Sequence, residues 1–276
     1  SNSRISKMCS KINAFFWPEE PVNTIDEPYP ARISSSFLLK YRCFFCVFEF
    51  GGWCWAFSYN PPIFFTFFTT WSLTLTFLNY GILASCQLYK RKYKALLRSP
   101  SRSEAEESKL VVMKKRQLTF FKFANIWYEL TLTCEFVVCL IFWFVLAPLA
   151  PRVLSTVAGV FLNIIIHACP FFSLFGELIM DKTMFYPRHF LIVGTVALCY
   201  LLLNMARGLE NHPVYGKIDT WQNIPSIFFI LGSLILSLIG FFGARFIQNK
   251  KNERIPFQSE KEPVLGELND DEDIFQ

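Results

Sequence analysis

The sequence predicts an all-α membrane protein, a polytopic bundle of about six transmembrane helices with both termini in the cytoplasm. Of its 276 residues, 53% are hydrophobic, 32 are Phe and only 18% are charged, and the charged residues cluster between long apolar segments. A helix crosses the hydrocarbon core of a bilayer with about 20 largely apolar residues, and several segments reach that length. The strict alternation that marks a membrane β-barrel is not found in the sequence.

The charge and cysteine content exclude several functions. Most of the net charge of +5 comes from Lys and Arg beside apolar segments, where such residues set orientation and meet lipid headgroups, so we expect no nucleic acid partner. Cys43 and Cys46 form a C-x-x-C pair, but no second pair follows at metal-site spacing. The sequence therefore predicts no metal and no cofactor.

Residues 1–36 are predicted to form a polar N-terminal arm. Four prolines between positions 18 and 30 favour a loop-like conformation. The Phe15-Phe16-Trp17 cluster is too short for the core of a secretory signal. It suits the membrane interface, where aromatic residues are enriched, and equally suits an arm with incidental aromatics.

The predicted transmembrane domain covers residues 37–248. Its first apolar segment, 37–57, contains Arg42, Glu49 and a Gly-Gly pair, so both a membrane helix and an interfacial helix fit it. Arg42 and Glu49 are two helical turns apart and share a face that can look into the bundle, although Arg42 can also reach a headgroup.

The second span, from about residue 63 to 88, is rich in hydroxyl groups. In membrane helices such groups usually donate to a carbonyl of the preceding turn. Residues 66, 70 and 74 lie four apart and form a polar stripe expected to face the bundle interior. The hydroxyl residues of this span are Thr66, Thr69, Thr70, Ser72, Thr74 and Thr76.

Charge also separates the other parts of the domain. Residues 89–122 form a basic loop, cytoplasmic by the positive-inside rule, and its segment 99–103 is expected to be a solvated flexible linker. Residues 249–276 form an acidic tail expected to be disordered.

The third span, about 125–146, carries Glu129 and Glu135 on separated faces, so a catalytic carboxylate dyad is not expected.

The fourth span, about 153–180, contains His167, Pro170 and Glu177. An imidazole at membrane depth is costly unless it is paired or hydrated, so His167 is a functional candidate. Pro170 is expected to kink the helix and open a cavity beside His167. His167 and Glu177 are expected to share an interior face.

The last two spans, about 190–206 and 224–246, complete the predicted bundle. His189 before the fifth span is expected to be an interfacial residue. Gly232, Gly240 and Gly243 in the sixth are expected at close helix contacts. Five spans with an external N-terminus would also satisfy the charge distribution.

Four landmarks follow one another along the chain. They are Tyr41-Arg42-Cys43-Phe44-Phe45, then Phe68-Thr69-Thr70-Trp71-Ser72-Leu73, then His167 with Glu177, and Pro213-Val214-Tyr215-Gly216-Lys217-Ile218-Asp219. Their order and spacing resemble the androgen-induced protein and rolling-stone group of six-span membrane proteins. The resemblance covers roughly residues 40–245.

This resemblance implies an intramembrane lipid hydrolase. Some members of the androgen-induced branch cleave fatty acid esters of hydroxy fatty acids, with a threonine nucleophile and a histidine partner. The threonine before an aromatic residue is Thr70, with Thr69 as the alternative register, and the histidine is His167. His167 would act as the base that takes the hydroxyl proton. The rolling-stone branch implies no enzymatic activity for this chain.

Two functions therefore follow from the sequence. One is a lipid ester hydrolase with Thr70 and His167 as catalytic residues, whose partners are membrane lipids and a lipid ester substrate. The other is a non-catalytic structural subunit or scaffold of a membrane complex, in which His167 and Glu177 are core polar groups. A transporter is less favoured, because the two halves show no internal repeat. Either function places the protein in a membrane, and the sequence does not specify the organelle.

Overall fold

The computed structural model describes residues 2–17, 24–25, 28, 33–59, 61–99, 103–149 and 151–254. Within these ranges the chain is helical and has no strand apart from an isolated bridge between Pro28 and Asp181, so the all-α prediction is confirmed. Four helical segments are long and apolar enough to cross a membrane, which indicates an integral membrane protein. They are Glu104–Leu149, Val157–Met180, Pro187–Leu209 and Ile224–Glu253.

Nine helices follow one another along the described chain. They are α1 Asn2–Phe16, α2 Ser35–Tyr59, α3 Phe68–Leu97, α4 Glu104–Ile141, α5 Ala147–Leu149, α6 Val157–His167, α7 Cys169–Met180, α8 Phe190–Leu209 and α9 Ile224–Arg254. A π-helical turn, Phe142–Leu146, joins α4 to α5, and short 3₁₀ turns occur at Pro61–Thr66, Pro151–Leu154, Pro187–His189 and Gly216–Ile218.

Local chemistry explains several helix ends. Ser103 and Glu106 form a capping box at the start of α4. The Thr156 hydroxyl accepts from the Gly159 amide at 3.0 Å at the start of α6. Pro170 lies in the first turn of α7, where its missing N–H costs nothing. The predicted break beside His167 is therefore confirmed, because α6 ends at His167 and α7 begins at Cys169.

The loop-like conformation expected for the N-terminal arm is wrong for Asn2–Phe16. This segment is helical because apolar residues recur in it at helical spacing and all four prolines of the arm come after it. The basic segment 89–122 is not a loop over most of its length, since α3 continues to Leu97 and α4 begins at Glu104. The linker expected at 99–103 falls between these two helices, and residues 100–102 lie outside the described residues. The tail from residue 255 lies outside the described residues, and residues 249–254 belong to α9.

The core forms where α3 packs along both α2 and α4, and where α7 and α9 lie against α4. Aromatic and aliphatic side chains fill it, among them Tyr80, Leu83, Tyr128, Leu174 and Phe241, all fully buried. Every one of these helices also carries buried polar groups, which meet in the separate clusters described below. An apolar scaffold thus holds polar clusters at different depths.

One of the three glycines expected at close helix contacts lies at such a contact. A Cβ on Gly240 would lie 2.6 Å from Cδ1 of Phe136 on α4, whereas a Cβ on Gly243 or Gly232 would meet nothing within 4 Å. The expectation is therefore confirmed for Gly240 and wrong for the other two. The approach of α9 to α4 depends on this single position.

Gly240→Ala is accordingly expected to destabilise the bundle by about 1 to 3 kcal/mol, because the Phe136 ring has to shift to admit the methyl group. Thermal unfolding in detergent measures the loss. Gly243→Ala is the matched control and should leave the unfolding temperature unchanged. Equal unfolding temperatures for the two variants would contradict the packing of α9 on α4.

Candidate functional site

A buried polar stripe runs along α3 near the middle of the bundle. Ser72, Thr76 and Asn79 are fully buried and lie on one face of the helix. The Thr76 hydroxyl donates to Oε1 of Glu135 on α4 at 2.7 Å, with the Ser72 carbonyl as a second acceptor at 3.0 Å. The structure thus pairs a threonine hydroxyl with a carboxylate far from bulk water.

Groups from two further helices surround this hydroxyl–carboxylate pair. Glu49 of α2 interacts electrostatically with Glu135, and it accepts a hydrogen bond from the Ser173 hydroxyl of α7 at 3.3 Å. Oε2 of Glu49, Oε2 of Glu135 and both amide atoms of Asn79 have no hydrogen-bond partner in the described part of the chain. We call Glu49, Thr76, Asn79, Glu135 and Ser173 the central polar cluster. Its free donor and acceptor atoms are available to a polar group of a ligand.

Thr70, the predicted nucleophile, lies at the start of α3. Its hydroxyl has the carbonyls of Phe64 at 2.5 Å and Phe67 at 2.8 Å as acceptors. The back-bonding expected for this helix is confirmed here, and also at Thr66, Thr74 and Thr76. Two backbone acceptors and no base engage the Thr70 hydroxyl in the described structure.

His167, the predicted base, is the last residue of α6. Its ring stacks on Phe142 with the ring centroids 3.6 Å apart, and its Nδ1 atom is buried without a partner among the described residues. No hydrogen bond joins His167 to Thr70 within those residues. Phe142 opens the π-helical turn, and such turns are frequent at functional sites.

An apolar pocket of about 60 Å³ is lined in part by Phe142. Val137 and Val138 on its wall follow Glu135 by less than one helical turn. Thr69 also lines the pocket, and Thr70 does not. The pocket is therefore lined by the start of α3 and by the part of α4 that follows Glu135, together with Phe142, the ring on which His167 stacks. None of the residues of the central polar cluster lines it.

Two tyrosines close the pocket at the start of α3. The hydroxyls of Tyr200 and Tyr215 each accept from the Phe68 amide at 3.0 Å, and they lie 3.2 Å from each other. Burial raises the pKa of Tyr215 to about 12, so its phenol keeps its proton at neutral pH. This pair caps α3 in place of a local side chain.

No family model, curated protein or solved structure matches the chain. The landmarks of the resemblance are nevertheless located by the structure: the Arg42 segment on α2, the Thr70 segment at the start of α3, His167 at the helix break, and the 213–219 segment near Phe68. The 213–219 segment is held by Asp219, whose buried carboxylate accepts from the amides of Val214 and Tyr215 at 2.9 Å each.

A second polar cluster, which we call the Arg42 cluster, fixes the opposite end of the bundle. Arg42 Nε and Nη2 donate to Oε1 of Glu177 at 2.8 and 2.5 Å, and Nη1 donates to Gln87 Oε1 at 2.8 Å. Asp181 lies 3.5 Å from Nη2. Arg42 thus looks into the bundle, and the partner of Glu177 is Arg42. In the sequence, this pair is indicated only by a basic residue in one apolar segment and an acidic residue in another.

A third buried pair joins Glu129 and His189. Nδ1 of His189 lies 2.9 Å from Oε2 of Glu129, and the Asn125 amide donates to Oε1 of Glu129 at 2.6 Å. The expectation of an interfacial His189 is wrong, because the turn Pro187–His189 folds back against α4 and Trp17 covers the ring at 4.6 Å. Glu129 and His189 are 60 positions apart in the sequence, and only the tertiary fold brings them together.

Proposed function

We propose that this protein is an integral-membrane hydrolase of lipid esters in which Thr76 is the nucleophile. One observation carries the proposal: the Thr76 hydroxyl donates to a buried carboxylate of another helix. A threonine hydroxyl is a weak nucleophile until a neighbouring base takes its proton. Glu135 is in position to be that base, whereas the predicted Thr70 has only backbone carbonyls as acceptors.

The proposed reaction proceeds in two steps. Thr76 Oγ1 forms a bond to the acyl carbon of the ester while its proton moves to Glu135, and that proton leaves with the alcohol when the ester C–O bond breaks. Water then attacks the acyl-threonine, gives its proton to Glu135 and releases the fatty acid, after which the proton returns to Thr76. The free amide of Asn79, on the same face of α3 as Thr76, supplies a donor for the negative oxygen of each intermediate.

The surroundings of the central polar cluster suit a lipid substrate. Val137 and Val138 of the apolar pocket follow Glu135 by less than one turn of α4. In the proposal the pocket takes an acyl chain whose carbonyl end reaches the cluster. A fatty acid ester of a hydroxy fatty acid fits this arrangement, with one polar ester between two apolar chains. His167, the base that the resemblance predicts, has no step in this mechanism, and its ring stacks on Phe142.

The proposed topology has six spans and both termini in the cytoplasm. α2 and α3 join the four strongly apolar segments, because α3 packs along both α2 and α4, and because α2 and α3 reach about 37 and 45 Å at 1.5 Å per residue. The Arg42 cluster compensates the charge that lowers the hydropathy of α2. Residues Lys90, Lys122, Arg188 and Lys251 then all lie at the cytoplasmic end.

Fluorophosphonate labelling of the purified protein tests the proposal. We expect one adduct, mapped by mass spectrometry to Thr76, and its loss in Thr76→Ala. Thr70→Ala and Thr69→Ala are the matched hydroxyl deletions on the same helix and should label normally. An adduct on Thr70 or Thr69 would restore the dyad with His167. No labelling of a folded wild-type protein, with stoichiometric copurifying partners, would favour the scaffold function.

A further inference from the structure

The N-terminal helix α1 presents an apolar face that the described part of the chain leaves exposed. Ile5, Met8, Ile12 and Phe15 follow one another at intervals of three, four and three residues, so they form one stripe along the helix. Each is between 44 and 56% exposed. A continuous apolar stripe with this exposure marks a surface that meets a partner or a lipid.

The C-terminal end of α1 is held by two basic residues, one on α4 and one in the turn before α8. Lys122 Nζ donates to Asn13 Oδ1 at 3.1 Å, and Arg188 Nη1 donates to the carbonyl of Phe15 at 2.7 Å. Lys122 precedes the most apolar part of α4, and Arg188 directly precedes α8. Both belong to the basic end of the bundle, so α1 lies beside the headgroup region there.

The charge of α1 matches an anionic surface. The segment Asn2–Phe16 contains Arg4, Lys7 and Lys11 and no acidic residue. Basic residues beside an apolar stripe are the pattern of helices that lie in the plane of a membrane. A protein partner would not require this combination at the headgroup level, whereas an anionic leaflet does.

We propose that α1 is an in-plane membrane helix that inserts its apolar stripe among the acyl chains of an anionic leaflet. Trp17 anchors the end of the helix, since its buried ring lies 4.6 Å from both the Tyr186 and the His189 rings. His189 in turn pairs with Glu129 inside the bundle. Binding of α1 to the leaflet therefore holds Trp17 over the buried Glu129–His189 pair.

Photolabelling in nanodiscs tests this proposal with the full chain. The protein is reconstituted in phosphatidylcholine with or without 30% phosphatidylserine, about a third of the lipid, together with a phosphatidylcholine that carries a diazirine on its acyl chain. Adducts on Asn2–Phe16 are counted by mass spectrometry. We expect acyl-chain adducts on this segment, increased by phosphatidylserine about fivefold for each basic residue that contributes.

Variants separate the apolar and the electrostatic parts. Ile5→Gln with Met8→Gln should abolish adducts on α1, and Lys7→Glu with Lys11→Glu should reduce them to the level of neutral nanodiscs. Lys109→Glu, an exposed basic residue of α4, is the control and should change nothing on α1. Adducts on the transmembrane helices with none on α1, or α1 protected by a second copy of the chain, would overturn the proposal. Adducts equal in both lipid mixtures would overturn its anionic part.

Discussion

Thr76→Ala is expected to lower ester turnover by about 1,000-fold or more, because the hydroxyl that attacks the acyl carbon is removed. The same hydroxyl has a carboxylate acceptor only 2.7 Å away, at a buried site. Glu135→Gln is expected to lower turnover by about 100-fold or more, the usual range for losing a general base. Release of a fatty acid from a hydroxy fatty acid ester in proteoliposomes measures both.

Conservative changes show whether the effect is chemical. Thr76→Ser keeps the nucleophilic oxygen and should retain measurable turnover, while Thr76→Val keeps the shape and should not. Thr74→Ala is the matched control, since its hydroxyl donates to the Thr70 carbonyl on the same helix. Equal turnover in Thr76→Val and the wild type, at equal unfolding temperature, would remove Thr76 from the mechanism.

Arg42→Met is expected to destabilise the folded bundle by about 3 to 5 kcal/mol, the usual cost of removing one partner of a buried ion pair. The change leaves Glu177 and Asp181 buried without the guanidinium that lies between them. It also removes the hydrogen bonds that Nη1 donates to Gln87 Oε1 and to the Ile25 carbonyl. Thermal unfolding in detergent should show a large drop in the midpoint.

A charge-matched variant gives this prediction its control. Arg42→Met leaves two buried carboxylates, and adding Glu177→Gln neutralises one of them. The double variant should therefore recover part of the lost stability. Arg98→Ala, an exposed arginine at the end of α3, should have no effect. If Arg42→Met unfolds at the wild-type temperature, the guanidinium is not a structural centre of the bundle.

Hydrophobic periodicity and the positions of proline and threonine predicted the features that depend on local sequence. The helix break at Ala168 follows from Pro170, which lacks the N–H that a continuous helix would use. The back-bonding of Thr66, Thr70 and Thr74 follows from the absence of water in an apolar helix. The helical class follows from the same absence, since every backbone group must find a partner within its own segment.

Long-range pairing could not be predicted in this way. Thr76 meets a carboxylate 59 positions away and His189 meets one 60 positions away, and hydropathy carries no record of either partner. The resemblance predicts Thr70 as the nucleophile, whereas the proposal made here assigns that role to Thr76, because the position of Glu135 cannot be obtained from a sequence motif. Which polar residue faces which is decided by helix rotation and tilt, which depend on packing.

The Arg42 cluster also has a consequence for biosynthesis. The guanidinium of Arg42 and the carboxylate of Glu177 are 135 positions apart, so at the usual rates of about 5 to 20 residues per second roughly 7 to 27 s pass before the second is synthesised. During that interval a lone arginine inside α2 costs several kcal/mol in lipid. In the six-span topology proposed above, α2 therefore needs a protected site at the insertion machinery, and its final placement waits for α7. Errors in the late part of this chain would then appear as failed insertion of its earliest helix.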